Sequence, residues 1–115
     1  MNILNDYINQ KVTFMQQKIR ILEDLRDKLY LWKSYNEEDL EKIMSAFEKF
    51  PRKEFSTFYI PILTDAILAE HLVAIGKTFS TNTCMLINII SSIGNMVWRY
   101  KLYPSDKVFN FFKKS

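Results

Sequence analysis

Punctuation is what this chain lacks: only two Gly and three Pro occur in 115 residues. Average usage would supply roughly 12% of these two residue types, about three times what is present. A β-sandwich or barrel needs a turn every 8 to 12 residues or so, and this chain has too few turn formers to supply them. Long helices are the economical solution. With 48% hydrophobic, 15% aromatic and 25% charged residues, the chain has apolar area to offset its conformational entropy and is not a disordered segment. Its length suits one domain, large enough to fold without disulfides or metals, and the lone Cys84 forms no internal bridge.

Periodicity predicts an all-α, single-domain bundle of four to five helices over residues 1–115. Ile8, Val12, Met15, Ile19, Leu22 and Leu29 recur at spacings of four and three, broken only by Arg26. They mark a long N-terminal amphipathic helix over 3–33. At 1.5 Å per residue it reaches ~45 Å, so it spans the molecule or runs beyond it. Ser34 and Glu37 have capping-box spacing, which starts a second helix near 35, and Pro51 is expected to end it near 50. Pro61 suits the first turn of a third helix, 61–78. The Ser80–Thr83 stretch offers N-caps for a fourth, 83–101, and Ser105 or Asp106 for a fifth, 105–113. The expected core is Ile19, Leu22, Leu29, Ile43, Phe47, Ile67, Leu72, Ile90, Ile93 and Val97.

Residues 1–22 show no apolar run like that of a signal peptide, and the most apolar stretches, 58–75 and 84–98, fall short of the ~20 residues a spanning helix needs. A cytoplasmic protein with no membrane association is the expectation, and a free thiol suits it. Phe, Tyr, Met, Ile, Asn and Lys outnumber Gly, Ala, Arg and Pro by 53 to 13. That usage points to an AT-rich gene and decides nothing about mechanism.

Catalytic motifs fail on inspection. Ile75-Gly76-Lys77-Thr78 ends like a phosphate-binding loop, but the glycine required five positions earlier is His71, so Gly76 reads as a helix C-cap. His71 and Cys84 could form a nucleophile pair, yet no orienting residue or oxyanion loop accompanies them. Glu37, Glu38, Asp39 and Glu41 form an acidic cluster explained by the positive end of a helix dipole. No enzyme, cofactor or metal is expected.

Charge is more informative. Arg99, Lys101, Lys107, Lys113 and Lys114 against Asp106 give residues 99–115 a net +4, whereas residues 1–98 carry a net −1. Tyr103 and other aromatics interleave with these cations. Asn88, Ser92, Asn95 and Arg99 form a polar stripe on the helix leading into them. These residues are the expected partner-binding set. The expected function is a non-enzymatic module that neutralises or adapts a partner protein carrying an acidic patch, in the manner of an immunity protein, antitoxin or toxin inhibitor. The alternative is a small nucleic-acid-binding protein that uses the basic aromatic C-terminal segment. A homodimer paired along the Ile8–Leu29 seam is the further possibility.

Overall fold

The computed structural model describes residues 3–114, which form six α-helices and no strand. They are α1 (Ile3–Tyr30), α2 (Glu37–Lys53), α3 (Ile60–Leu63), α4 (Ala66–Thr78), α5 (Thr83–Trp98) and α6 (Asp106–Lys114). The fold is the expected helical bundle, with six helices rather than four or five. Short 3-10 turns at Trp32–Ser34 and Thr57–Tyr59 precede α2 and α3.

Helix α1 contains neither Gly nor Pro, and an ion pair between Asp24 and Lys28 (3.0 Å) staples its last turns. Only its C-terminal half is covered: Leu22, Leu25 and Leu29 are buried against the bundle, whereas every residue from 3 to 14 is exposed. The molecule measures 58 × 29 × 19 Å, with a radius of gyration of 15.7 Å. A compact domain of this length has about 13 Å. The projecting half of α1 accounts for the difference.

Several predicted boundaries move for local reasons. The cap of α2 is Asn36, whose Oδ1 accepts from Asp39 N (2.8 Å), so the Ser34–Glu37 capping box does not form. Pro51 lies inside α2 instead of ending it at 50, and the helix stops two residues later. A proline so near the end forfeits one backbone bond without forcing the chain out of the last turn. The predicted helix 61–78 is broken. Asp65 caps α4 by accepting from Ile67 N (2.9 Å) and Leu68 N (3.2 Å), and the same carboxylate accepts the Tyr30 hydroxyl. A side chain committed to amides on its C-terminal side starts a new helix, and the axis bends by 60° there.

The core joins Leu22, Leu25 and Leu29 of α1 to Leu40, Ile43, Met44 and Phe47 of α2, Leu68, Leu72 and Ile75 of α4, and Met85, Ile89, Ile93 and Met96 of α5. Two expected members are corrected: Ile67 and Ile90 are 59% and 38% exposed. Ile19 and Val97 are half-buried. Helix α4 is apolar nearly all round, and the polar residues of α5 are small and uncharged, so periodicity did not fix which face turns inward. In α5 the buried residues are Met85, Ile89, Ser92, Ile93 and Met96, so of the three expected there Ile93 is in the core, whereas Ile90 and Val97 lie to one side of the buried line. Gly76 is not a C-cap. It sits within α4, where an added Cβ would lie 3.0 Å from Phe111 Cζ, so its missing side chain lets α6 dock. Among the described residues no single helix is long and apolar enough to cross a membrane.

Candidate interaction surfaces

The polar stripe of α5 does not form one surface. Helices α2 and α5 make the most extensive contact in the molecule, and the stripe lies along it. Ser92 is fully buried, and its Oγ has no hydrogen-bond partner among the described residues. Asn88 is half-buried. Asn95 Nδ2 donates to the Ser91 carbonyl (2.9 Å). Arg99 donates through Nη1 to the carbonyls of Pro51 (3.2 Å) and Arg52, closing the last turn of α2. A cation there neutralises the negative end of the helix and satisfies orphan acceptors.

Beside it, Glu48 is 6% exposed and accepts from Arg52 Nε (2.6 Å) and Ser91 Oγ (2.7 Å). Burial pushes its carboxyl up, but the bonds from Arg52 and Ser91 outweigh that and hold it below the ordinary carboxylate value. The stripe is therefore largely the polar lining of a helix–helix seam. Sequence reasoning missed Glu48 and Ser91 because Glu48 stands among the exposed charges of α2, with nothing in its spacing to mark it.

The basic aromatic segment divides. Tyr100 is buried, stacks on Phe55 at 4.8 Å, accepts from Ser56 N (3.0 Å) and donates to the Glu54 carbonyl (3.0 Å). Burial raises its phenol above the ordinary value. Leu102, Val108 and Phe111 are also buried. These four plug the bundle. Trp98, Tyr103 and Phe109 are instead 77%, 89% and 59% exposed, alongside the exposed Lys101, Lys107 and Lys113. The side chain of Lys114, and residue 115, lie outside the described part. Lys101 has φ +61°, the left-handed turn that reverses the chain after α5. A cleft of about 210 Å³ lined by Gly94, Val97, Trp98, Pro104 and Phe109 opens between α5 and α6.

The larger exposed apolar surface is the projecting half of α1. Ile3, Leu4, Tyr7, Ile8, Val12 and Phe14 are all 48–84% exposed. Lys11 lies over the Tyr7 ring (5.2 Å) and Lys18 over the Phe14 ring (4.7 Å). The proposed dimer seam is thus partly used within the chain: Leu22 and Leu29 are buried, Met15 and Ile19 are half-buried against the core, and only Ile8 and Val12 are exposed.

Of the other suspected residues, Glu37, Glu41 and His71 have structural partners. Asn82 caps α5 through Met85 N (3.0 Å) while its Nδ2 donates to Glu37 (2.8 Å) and Glu41 (3.0 Å), so the acidic cluster ties α2 to α5. His71 meets Tyr30 edge-on at 4.9 Å. Tyr30 is pushed up to about 12, by burial first and then by its bond to Asp65 and the charge of that carboxylate. Cys84 is exposed in the first turn of α5. No group of three potential metal ligands occurs among the described residues. Comparison with protein-family models, curated proteins and solved structures finds no match to this chain.

Proposed function

We propose that the chain is a non-enzymatic protein-binding module that neutralises or adapts a partner protein, as immunity proteins, antitoxins and inhibitors do. The observation that carries this reading is the uncovered apolar face of residues 3–14. From their fractional exposures its six large apolar side chains present roughly 700 Å² to solvent, near the ~800 Å² that each partner contributes to a standard protein interface. Monomeric proteins seldom leave a contiguous patch of that size uncovered.

The test is affinity capture of the tagged chain from its native cells, with and without nuclease, beside the Tyr7→Glu/Phe14→Glu variant. Both residues are exposed, so the variant should keep the helical spectrum and melting of the parent. A stoichiometric protein that survives nuclease and high salt and is lost from the variant supports the reading. Recovery of no stoichiometric protein refutes it, and equal retention of one by both proteins removes the arm as the interface.

One observation favours nucleic-acid binding as the second reading: Trp98, Tyr103 and Phe109 are exposed beside Lys101, Lys107 and Lys113. Such a surface suits base stacking with counterion release. Replacing Lys101, Lys107, Lys113 and Lys114 with Gln should then abolish salt-sensitive binding of a labelled single-stranded oligonucleotide. Affinity unchanged by the replacement removes this reading.

A further inference from the structure

At the point where α1 meets the body, its exposed face continues into a groove against the end of α2. The groove has a volume of about 510 Å³ and a floor of Ile21, Leu25, Ala46, Phe50 and Tyr59. Lys18, Lys49 and Lys53 line it, with Glu54 as the one acid. Lys18 pairs with Glu54 (2.8 Å). Lys49 and Lys53 have no ion-pair partner among the described residues, and neither does Lys11 on the adjoining arm. A second depression lined by Tyr7, Lys11, Phe14 and Met15 shares Lys18 with the groove, so apolar surface and cations run together from the arm into the body.

We infer that this trough receives an amphipathic α-helix of a partner protein, with an apolar face flanked by Asp and Glu. This deepens the reading of the chain as a protein-binding module and rests on it. The shape follows from α1: one unbroken helix supplies a wall from Tyr7 to Leu25, and α2 supplies the second wall where the arm joins the body. Helices recognised in this way present anchors at i, i+3, i+4 and i+7. The charge follows from the lysines. Three cations without carboxylate partners border an apolar floor, and acidic groups flanking the incoming apolar face would pair with them while excluding basic competitors. A second copy of the chain fits the charge poorly. Its own arm would bring Lys11 and Lys18 against Lys49 and Lys53.

The test uses a fluorescein-labelled helical peptide about 18 residues long, matching the ~27 Å from Tyr7 to Leu25 along the trough. Leu occupies the anchor positions and Glu the flanks, and a twin peptide carries Lys in place of Glu. Anisotropy titrations at moderate salt should show saturable 1:1 binding of the Glu peptide and at least tenfold weaker binding of the Lys peptide. Lys49→Glu/Lys53→Glu, two exposed positions, should invert that preference. Lys101→Glu/Lys107→Glu on the C-terminal segment should leave it unchanged.

The inference is overturned if the Glu peptide fails to bind, if both peptides bind equally, or if the two double variants behave alike. Sedimentation showing a dimer that the Tyr7→Glu/Phe14→Glu variant abolishes would also overturn it, giving the trough to a second copy. A native partner captured equally by the wild type and Lys49→Glu/Lys53→Glu would retain the binding-module reading and reject the acidic helix.

Discussion

Ile89 and Ile90 are neighbours of identical composition on one helix, one fully buried and the other 38% exposed. Their replacement by Ala therefore reads out which face of α5 turns inward. Ile89→Ala removes three carbons from the core, and at ~0.8 kcal/mol per buried methylene the transfer loss is about 2.4 kcal/mol. A residual cavity adds ~24 cal/mol per Å³, about 1 kcal/mol if the site collapses over half the vacated volume. The better helix propensity of Ala returns about 0.4 kcal/mol. The expected loss is about 3 kcal/mol.

Ile90 lines an open cleft beside Gly76 and Phe111, so its removal encloses no new cavity. The remaining transfer loss, less the same propensity gain, leaves about 1 kcal/mol. Urea unfolding followed by circular dichroism measures both, with unchanged slopes confirming that the denatured states are comparable. Equal losses, or a larger loss at Ile90, would refute the placement of α5. Ile67→Ala, at a position 59% exposed, should by the same reasoning cost only about 0.6 kcal/mol.

Four further outcomes are expected. Gly94 is helical, and a Cβ there meets no atom within 4 Å, so Gly94→Ala should stabilise by about 0.5–1 kcal/mol and raise the melting temperature by roughly 2–4 °C in a thermal scan. The buried hydroxyl of Ser92 has no partner among the described residues, so Ser92→Ala should be stabilising by about 1 kcal/mol in urea, and a loss of more than that would mean the hydroxyl is paired. Asn82→Ala removes a cap and two inter-helix bonds and should cost about 1–2 kcal/mol, whereas Asn82→Asp should restore the cap but not the bonds to two carboxylates. The folded-state pKa of Glu48 is depressed below 4.5, so its stabilisation is present above the unfolded value and lost as pH falls through the folded one; wild-type stability should fall more steeply than that of Glu48→Gln in urea titrations taken from pH 5 downward.

Element existence was legible wherever the chain offered a pattern or a cap. The spacing from Ile8 to Leu29 identified α1 and its apolar face but not that only the part from Leu22 on is buried, while Ile43 and Phe47, expected in the core, do belong to the buried face of α2, where charged residues occupy the other faces. The faces of α4 and α5 were not legible. An apolar helix such as α4, or one like α5 whose only polar residues are small and uncharged, leaves periodicity with little contrast, and packing against α2 and α4 selects Ile89 over Ile90. The break at Asp65 was hidden for a related reason: Asp in an apolar run reads as an interruption, and nothing local reveals that Tyr30, 35 positions away, holds it. Arg99 was identified as a residue of consequence through its charge, yet its partners are backbone carbonyls of α2, which no side-chain motif announces.

Charge along the chain and charge in space give different pictures of the same residues. Counted in sequence, the positive excess falls entirely in 99–115, and the first 98 residues look nearly neutral. Folding sorts that neutral stretch. Lys11 and Lys18 come from the middle of α1 and Lys49 and Lys53 from the end of α2, and they gather around one trough with a single acid, Glu54. The compensating acids stand elsewhere: Asp24 and Asp27 face basic neighbours on α1, and Glu37 and Glu41 hold Asn82 at the start of α5. Of the C-terminal cations, Arg99 is committed to the end of α2 and Lys107 stands 3.9 Å from Glu70. The segment that carries the net charge thus has part of it engaged within the molecule, whereas the apparently balanced segment presents unpaired lysines beside uncovered apolar surface. An apolar patch with adjacent unpaired cations selects its partner by both area and sign, which is why the trough rather than the tail is the surface on which the binding reading rests.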